Sequence, residues 1–197
     1  MDLTNPLASI LADSQADALR VLARTDVGLT GRQIARLSGT AQHTTTKRGL
    51  DKLERIGLVS VTRGLQHSEY RANRDHVLWP AVQAGLDAQD ELSSRIASFV
   101  ARRVPDAISA AVFGSVARGE ATAASDVDIV LVTEAGGAED VAVELGDLVR
   151  TWTGNDCGVL DFSREQLETA VHERDPIVDS LRADARTVHG TELRTLL

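Results

Sequence analysis

The stretch AAVFGSVARGEATAASDVDIVLV, residues 110–132, narrows the possible folds of this chain more than any other. The apolar run ISAAVF, 108–113, has the length of a buried strand and stops at Gly114-Ser115. After a small-residue loop, a second apolar run opens with Asp126 and Asp128, one residue apart. If residues 126–132 form a strand, side chains alternate, so both carboxylates leave one face while Val127 and Ile129 begin the other. Two strand rises put the charges roughly 6–7 Å apart. Keeping both ionised in a partly buried place is costly unless a cation lies between them. A strand, a Gly-Ser turn and a helix start also make an anion site. Glycine lets a phosphate reach the backbone, the first N–H groups of the helix point at it, and Ser115 adds a hydroxyl. A capping box at Ser115 would need Glu or Gln at position 118, where Arg118 stands, so the sequence favours the anion.

Charge divides the chain in two. Between Gly28 and Asp75 nine Lys or Arg face four acids, a local +5 within a net charge of -8, which leaves -13 on the remainder. Such asymmetry predicts two modules with different partners, a basic one suited to nucleic acid and an acidic one that needs cations before a phosphate approaches. At 197 residues, with 43% hydrophobic and 25% charged residues, two small folded domains are expected. Aromatics are only 3%, so the cores must be built from Leu, Val, Ile and Ala. No run reaches membrane-spanning length and no basic leader opens the chain, so a cytoplasmic location without membrane contact is expected. Cys157 stands alone, which excludes an internal disulfide and a cysteine-based zinc site.

The basic module reads as helix, helix, turn, helix and hairpin. Ala18, Leu19, Val21 and Leu22 mark an amphipathic first helix, and Thr30 caps a short second one that stops at Gly39. A third helix runs roughly from Gln42 to Ile56, with Leu50, Leu53 and Ile56 on one stripe and His43, Thr45, Lys47, Arg48 and Lys52 on the other face. LVSVTR and SEYRAN, joined by GLQH, read as a hairpin. Residues 14–74 resemble the winged helix-turn-helix domains of bacterial regulators. The resemblance implies that the third helix enters a DNA major groove and that Arg63, His67 and Arg71 on the wing meet phosphates. A solvated basic face that holds a protein partner or a homodimer is the alternative.

Gly114-Ser115, ten residues, then Asp126-Val127-Asp128 resembles the G-S-x10-D-x-D signature of the DNA polymerase β nucleotidyltransferase superfamily, and within it the minimal nucleotidyltransferases. Arg118-Gly119 and Ser125 extend the likeness. The implied fold class is α+β: a winged helix-turn-helix over 1–75, a helical linker over 76–104, and over 105–197 a mixed sheet flanked by helices, closed by RADARTVHG. Such domains also carry a third carboxylate on a neighbouring strand, and CGVLDFS, 157–163, supplies Asp161. In the reading that follows, Asp126, Asp128 and Asp161 hold two Mg²⁺ ions, with Asp161 as base or orienting group. Gly114, Ser115, Arg118 and Ser125 bind a nucleoside triphosphate, with ATP the expected one. Arg118 faces the leaving pyrophosphate or pairs outward with Glu120. A cap on the helix starting near residue 163 is the alternative for Asp161. The implied activity moves a nucleoside monophosphate to a hydroxyl of a protein or RNA acceptor, as in toxin-antitoxin pairs. The alternative is a DNA-binding transcriptional regulator whose transferase domain senses nucleotides or is inactive.

Overall fold

The computed structural model describes residues 1–39 and 43–197, and the chain divides into two compact units, Asn5–Ala88 and Met1–Thr4 with Gln89–Leu197. In the first unit α1 (Asp13–Leu22) precedes a two-residue strand β1 (Leu29–Thr30) and α2 (Gly31–Ser38). Next come α3 (His43–Arg55), β2 (Val59–Arg63), β3 (Ser68–Ala72) and α4 (Trp79–Leu86). The expected start of the third helix at Gln42 lies outside the described residues. Thr30 and Gln33 form a reciprocal capping box that starts α2, and Gly39 ends it at φ 77°. Leu19, Leu22, Ile34, Leu50 and Leu53 are fully buried among α1, α2 and α3. Ile56, expected on the same stripe, falls beyond the end of α3 and is exposed. The strands pair antiparallel in the order β1-β3-β2, which completes a winged helix-turn-helix.

Gly49 sets how closely α1 and α3 approach. A Cβ there would lie 2.6 Å from the Ser14 carbonyl oxygen, a backbone atom that cannot turn aside.

The second unit opens with α5 (Ala88–Arg103), whose Leu92, Ile96, Phe99 and Val100 are buried in its core. The span 76–104 expected as a linker is therefore shared between the units: α4 contributes Trp79 and Val82 to one core and α5 its apolar stripe to the other. Then follow β4 (Ser109–Phe113), α6 (Gly114–Arg118), β5 (Val127–Thr133), α7 (Glu139–Thr153), β6 (Cys157–Ser163), α8 (Arg164–Glu173), α9 (Pro176–Asp184) and β7 (Arg186–Gly190). The closing segment RADARTVHG is only partly helical: α9 ends at Asp184 and the rest is the edge strand β7. The mixed sheet runs β6-β5-β4-β7, with β5 and β6 parallel and the other pairs antiparallel. Its two faces have separate cores. Val127, Ile129 and Leu131 pack with Leu145 and Val149 of α7, whereas Phe113, Val130 and Val132 pack with Leu167 of α8 and Leu181 of α9.

Each unit carries one tryptophan, Trp79 in the first and Trp152 in the second, so their unfolding can be followed separately. In a Trp152→Phe background, Gly49→Ala is expected to destabilise the first unit by about 1–3 kcal/mol in urea melts followed by Trp79 fluorescence. An unshifted midpoint would show that α1 and α3 have room for the methyl group.

Candidate nucleotide site

β4 is buried along its whole length and delivers Phe113 opposite Asp128 of β5. The chain then turns at Gly114, φ 68°, directly into α6. A Cβ on Gly114 would overlap the Asp128 carboxylate, so only glycine permits both this turn and this neighbour. No side chain caps α6, and the Ser115 hydroxyl bonds to no described residue.

Asp126 lies one residue before β5 and is exposed, while Asp128 is partly buried at the strand's mouth. No hydrogen-bond donor among the described residues reaches either carboxylate. Burial first, and then the charge on Asp126, push the Asp128 carboxyl above the ordinary carboxylate range, with Arg118 opposing. The same electrostatics act on Cys157, whose thiol is pushed up to about 12 by burial first and then by Asp128 and Asp126. Two oxygen-ligand carboxylates without a donor fit a hard divalent cation whose remaining positions are filled by phosphate oxygens and water.

Asp161 does not join them. Along the parallel β5–β6 pair, Asp128 faces Gly158 and Leu131 faces Asp161. Three residues along a strand is an odd step, so Asp161 leaves the opposite face of the sheet, the face of Val127, Ile129 and α7. There one carboxylate oxygen accepts the Ala138 N–H at 2.7 Å, at the start of α7. The expected catalytic and metal-ligand role of Asp161 is corrected accordingly, and so is its alternative as a cap of the next helix. Ser163 fills that place, in a capping box with Gln166. The position on β6 beside Asp128 is Gly158, where a Cβ would stand 3.9 Å from the Asp128 oxygen, so nothing but the lack of a side chain keeps a third acid away. The other acid near this end of β6, Asp156, pairs with Arg150 at 3.2 Å on the surface. Among the described residues no three His, Cys, Asp or Glu side chains gather as a metal site.

The remaining expected residues are placed as follows. Ser125 accepts the Thr122 N–H at 2.9 Å, so its hydroxyl braces the loop before Asp126. Arg118 forks between Glu120, at 2.8 Å, and Asp184 of α9, which is the outward pairing rather than a free cation over a phosphate. The sequence reading missed Asn155, which is buried and donates to the Ser125 carbonyl at 2.9 Å, holding the residue before Asp126. Its only signal was a small polar residue between Gly154 and the third strand, which also fits an ordinary turn.

In the winged-helix unit, Thr45, Lys47, Arg48 and Lys52 lie exposed on α3, as expected, and the side chain of His43 lies outside the described residues. Arg63 of the wing pairs with Glu54 of α3 at 2.5 Å, while Arg71 is exposed on β3. His67 stands 3.8 Å from Glu69.

Residues 93–187 match the family described as the nucleotidyltransferase domain. The matched residues lie in the second unit, which is similar to a nucleotidyltransferase domain and is preceded in the chain by a helix-turn-helix module. No curated protein matches the chain in sequence. Among solved structures, a toxin-antitoxin complex with AMP-PNP is 15% identical, with 51% of this chain and 75% of that chain covered and a TM-score of 0.40. The toxin-antitoxin MntA-HepT is 14% identical, covering 55% and 79% at a TM-score of 0.38. TrmBL2, an archaeal chromatin protein, is 19% identical, covering 92% and 77% at 0.33. No described helix is long and apolar enough to cross a membrane.

Two measurements check this geometry. Asp161→Ala is expected to cost about 1 kcal/mol of stability through loss of the hydrogen bond from the Ala138 N–H, and to leave the affinity of the chain for ATP in the presence of Mg²⁺ unchanged. Because the Cys157 thiol is raised, its thiolate fraction grows with pH well past the ordinary thiol range. Alkylation of the native chain by iodoacetamide should therefore still rise about tenfold per pH unit at about pH 10, where a free cysteine has levelled off.

Proposed function

We propose that the second unit binds a nucleoside triphosphate with Mg²⁺ and transfers its nucleoside monophosphate to a hydroxyl of a protein or RNA acceptor. The observation that carries this reading is the Gly114-Ser115 turn set against Asp128. Backbone N–H groups of the turn and the Ser115 hydroxyl would take the β- and γ-phosphates. Asp126 and Asp128 would hold one Mg²⁺, which supplies charge neutralisation at the phosphates. In the transfer, the acceptor oxygen forms a bond to the α-phosphorus, the bond from that phosphorus to the bridging oxygen breaks, and pyrophosphate leaves with the electron pair. The hydroxyl proton would pass to solvent, since no third acid among the described residues gathers with Asp126 and Asp128 to receive it. ATP remains the expected nucleotide. The winged helix, with Thr45, Lys47, Arg48 and Lys52 outward, would bring the chain to DNA or to a structured RNA.

Gly158 beside Asp128 favours a second reading: a nucleic-acid-binding regulator whose transferase domain binds Mg²⁺-nucleotide but transfers poorly. One experiment separates the two. The chain is incubated with Mg²⁺, host extract and each α-³²P-labelled nucleoside triphosphate in turn. Transfer predicts label on protein or RNA, lost when Asp126→Asn and Asp128→Asn are combined. Label that survives this pair overturns the site. Nucleotide binding without label selects the regulator, and Gly158→Asp should then tighten Mg²⁺-dependent binding roughly tenfold by adding a third carboxylate.

A further inference from the structure

A cleft of about 570 Å³ opens in the unit Asn5–Ala88, where the start of α2, one side of α3 and the wing come together. Gly31, Arg32, Lys47, Leu50, His67 and Tyr70 line it. Leu50 is fully buried and Tyr70 is only 7% exposed, so these two form an apolar floor beneath exposed cations. The Tyr70 hydroxyl hydrogen-bonds to no described residue, although most of the residue is buried. Arg32 and Lys47 form no ion pair with a described residue. The hydroxyl oxygen is not among the buried atoms and so stays open to the cleft, a donor without a protein partner beside the two cations. Burial first, then the charges of Asp51 and Glu54, raise the Tyr70 pKa against the opposing effect of Arg63, so the hydroxyl keeps its proton. The polar side chains that face the cleft from α2 and α3 are donors, and among the described residues no acid lines it.

We propose that this cleft binds a small organic anion, a carboxylate or phosphate monoester on a flat apolar body. Arg32 and Lys47 hold the anionic oxygens, the Tyr70 hydroxyl donates from the floor, and Leu50 with the Tyr70 ring packs the apolar part. The volume lies within the range of small-molecule sites. The inference is independent of the nucleotide site in the other unit.

Isothermal titration of the whole chain, in EDTA so that the other unit is metal-free, uses benzoate and phenyl phosphate as probes and inorganic phosphate as the bare anion. Both aromatic probes are expected to bind, and inorganic phosphate about tenfold more weakly or not at all. Tyr70→Phe, which removes one oxygen and keeps the ring, should weaken phenyl phosphate about fivefold, the worth of one hydrogen bond. Arg32→Ala with Lys47→Ala, both at exposed positions, should abolish binding, while Arg36→Ala, exposed on α2 outside the cleft, should not change it. Affinity equal in the chain and in both cleft variants overturns the proposal, as does failure of both aromatic probes to bind. If neither probe binds and Tyr70→Phe instead weakens duplex DNA, the cleft is part of a nucleic-acid surface and the proposal fails.

Discussion

The antiparallel pairing of β4 with β5 places Phe113 opposite Asp128, and the rest of the candidate site depends on that one register. Because Phe113 is the last strand residue, the chain turns while still against Asp128, and α6 starts within reach of the carboxylate. Slipping the pair by one residue would send Asp128 into the core beneath α7 and bring Val127 or Ile129 to the turn. The buried side chains on both faces of β5 oppose such a slip, since Ile129 and Leu131 fill one core and Val130 and Val132 the other. The position of the carboxylate is thus maintained by apolar packing several residues further along the strand.

Much of this was legible in the chain because it rests on local chemistry. The Gly114-Ser115 break, the apolar run after Asp126, the capping pair Thr30 and Gln33 and the alternating hairpin runs each act within a few residues, and each forms the expected element. The third strand was found residue for residue, Cys157–Ser163, and yet the role given to Asp161 was wrong. Which face a strand residue takes relative to its neighbour depends on pairing register, which is set by the length of α7 and the turn at Gly154, not by the strand's own sequence. An edge strand gives little help, since burial along β6 does not mark one clean face. For Arg118 the local pairing with Glu120 is one of the two expected readings, but its second partner, Asp184, lies 66 residues away on α9 and has no local signal.

The linker was misread for a different reason. The stripe Leu92, Ile96, Phe99 and Val100 was seen, but a helix with one apolar face must cover something, and a free linker has nothing to cover. Its burial under the sheet accounts for the family match beginning at residue 93, before the first strand of the domain. The corresponding helix before it, α4, has its apolar residues in the winged-helix core. The composition of 76–104 is that of two domain edges rather than of a spacer.

Charge explains why the two halves need different ligands. The acidic excess outside residues 28–75 makes a triphosphate unwelcome near the sheet until a cation is present, and Asp126 and Asp128 stand without donors beside the turn that would receive it. Arg118 cannot offset them fully while its guanidinium is shared by Glu120 and Asp184. At Gly158 the chain has space where a third acid would stand, which lowers the repulsion around Asp128 and also removes a ligand and a base. In the proposed reading, two acids would hold a metal-nucleotide, and completing a transfer would need the acceptor or solvent to take the proton. The same glycine that relieves the electrostatics would then set how much chemistry such a site performs.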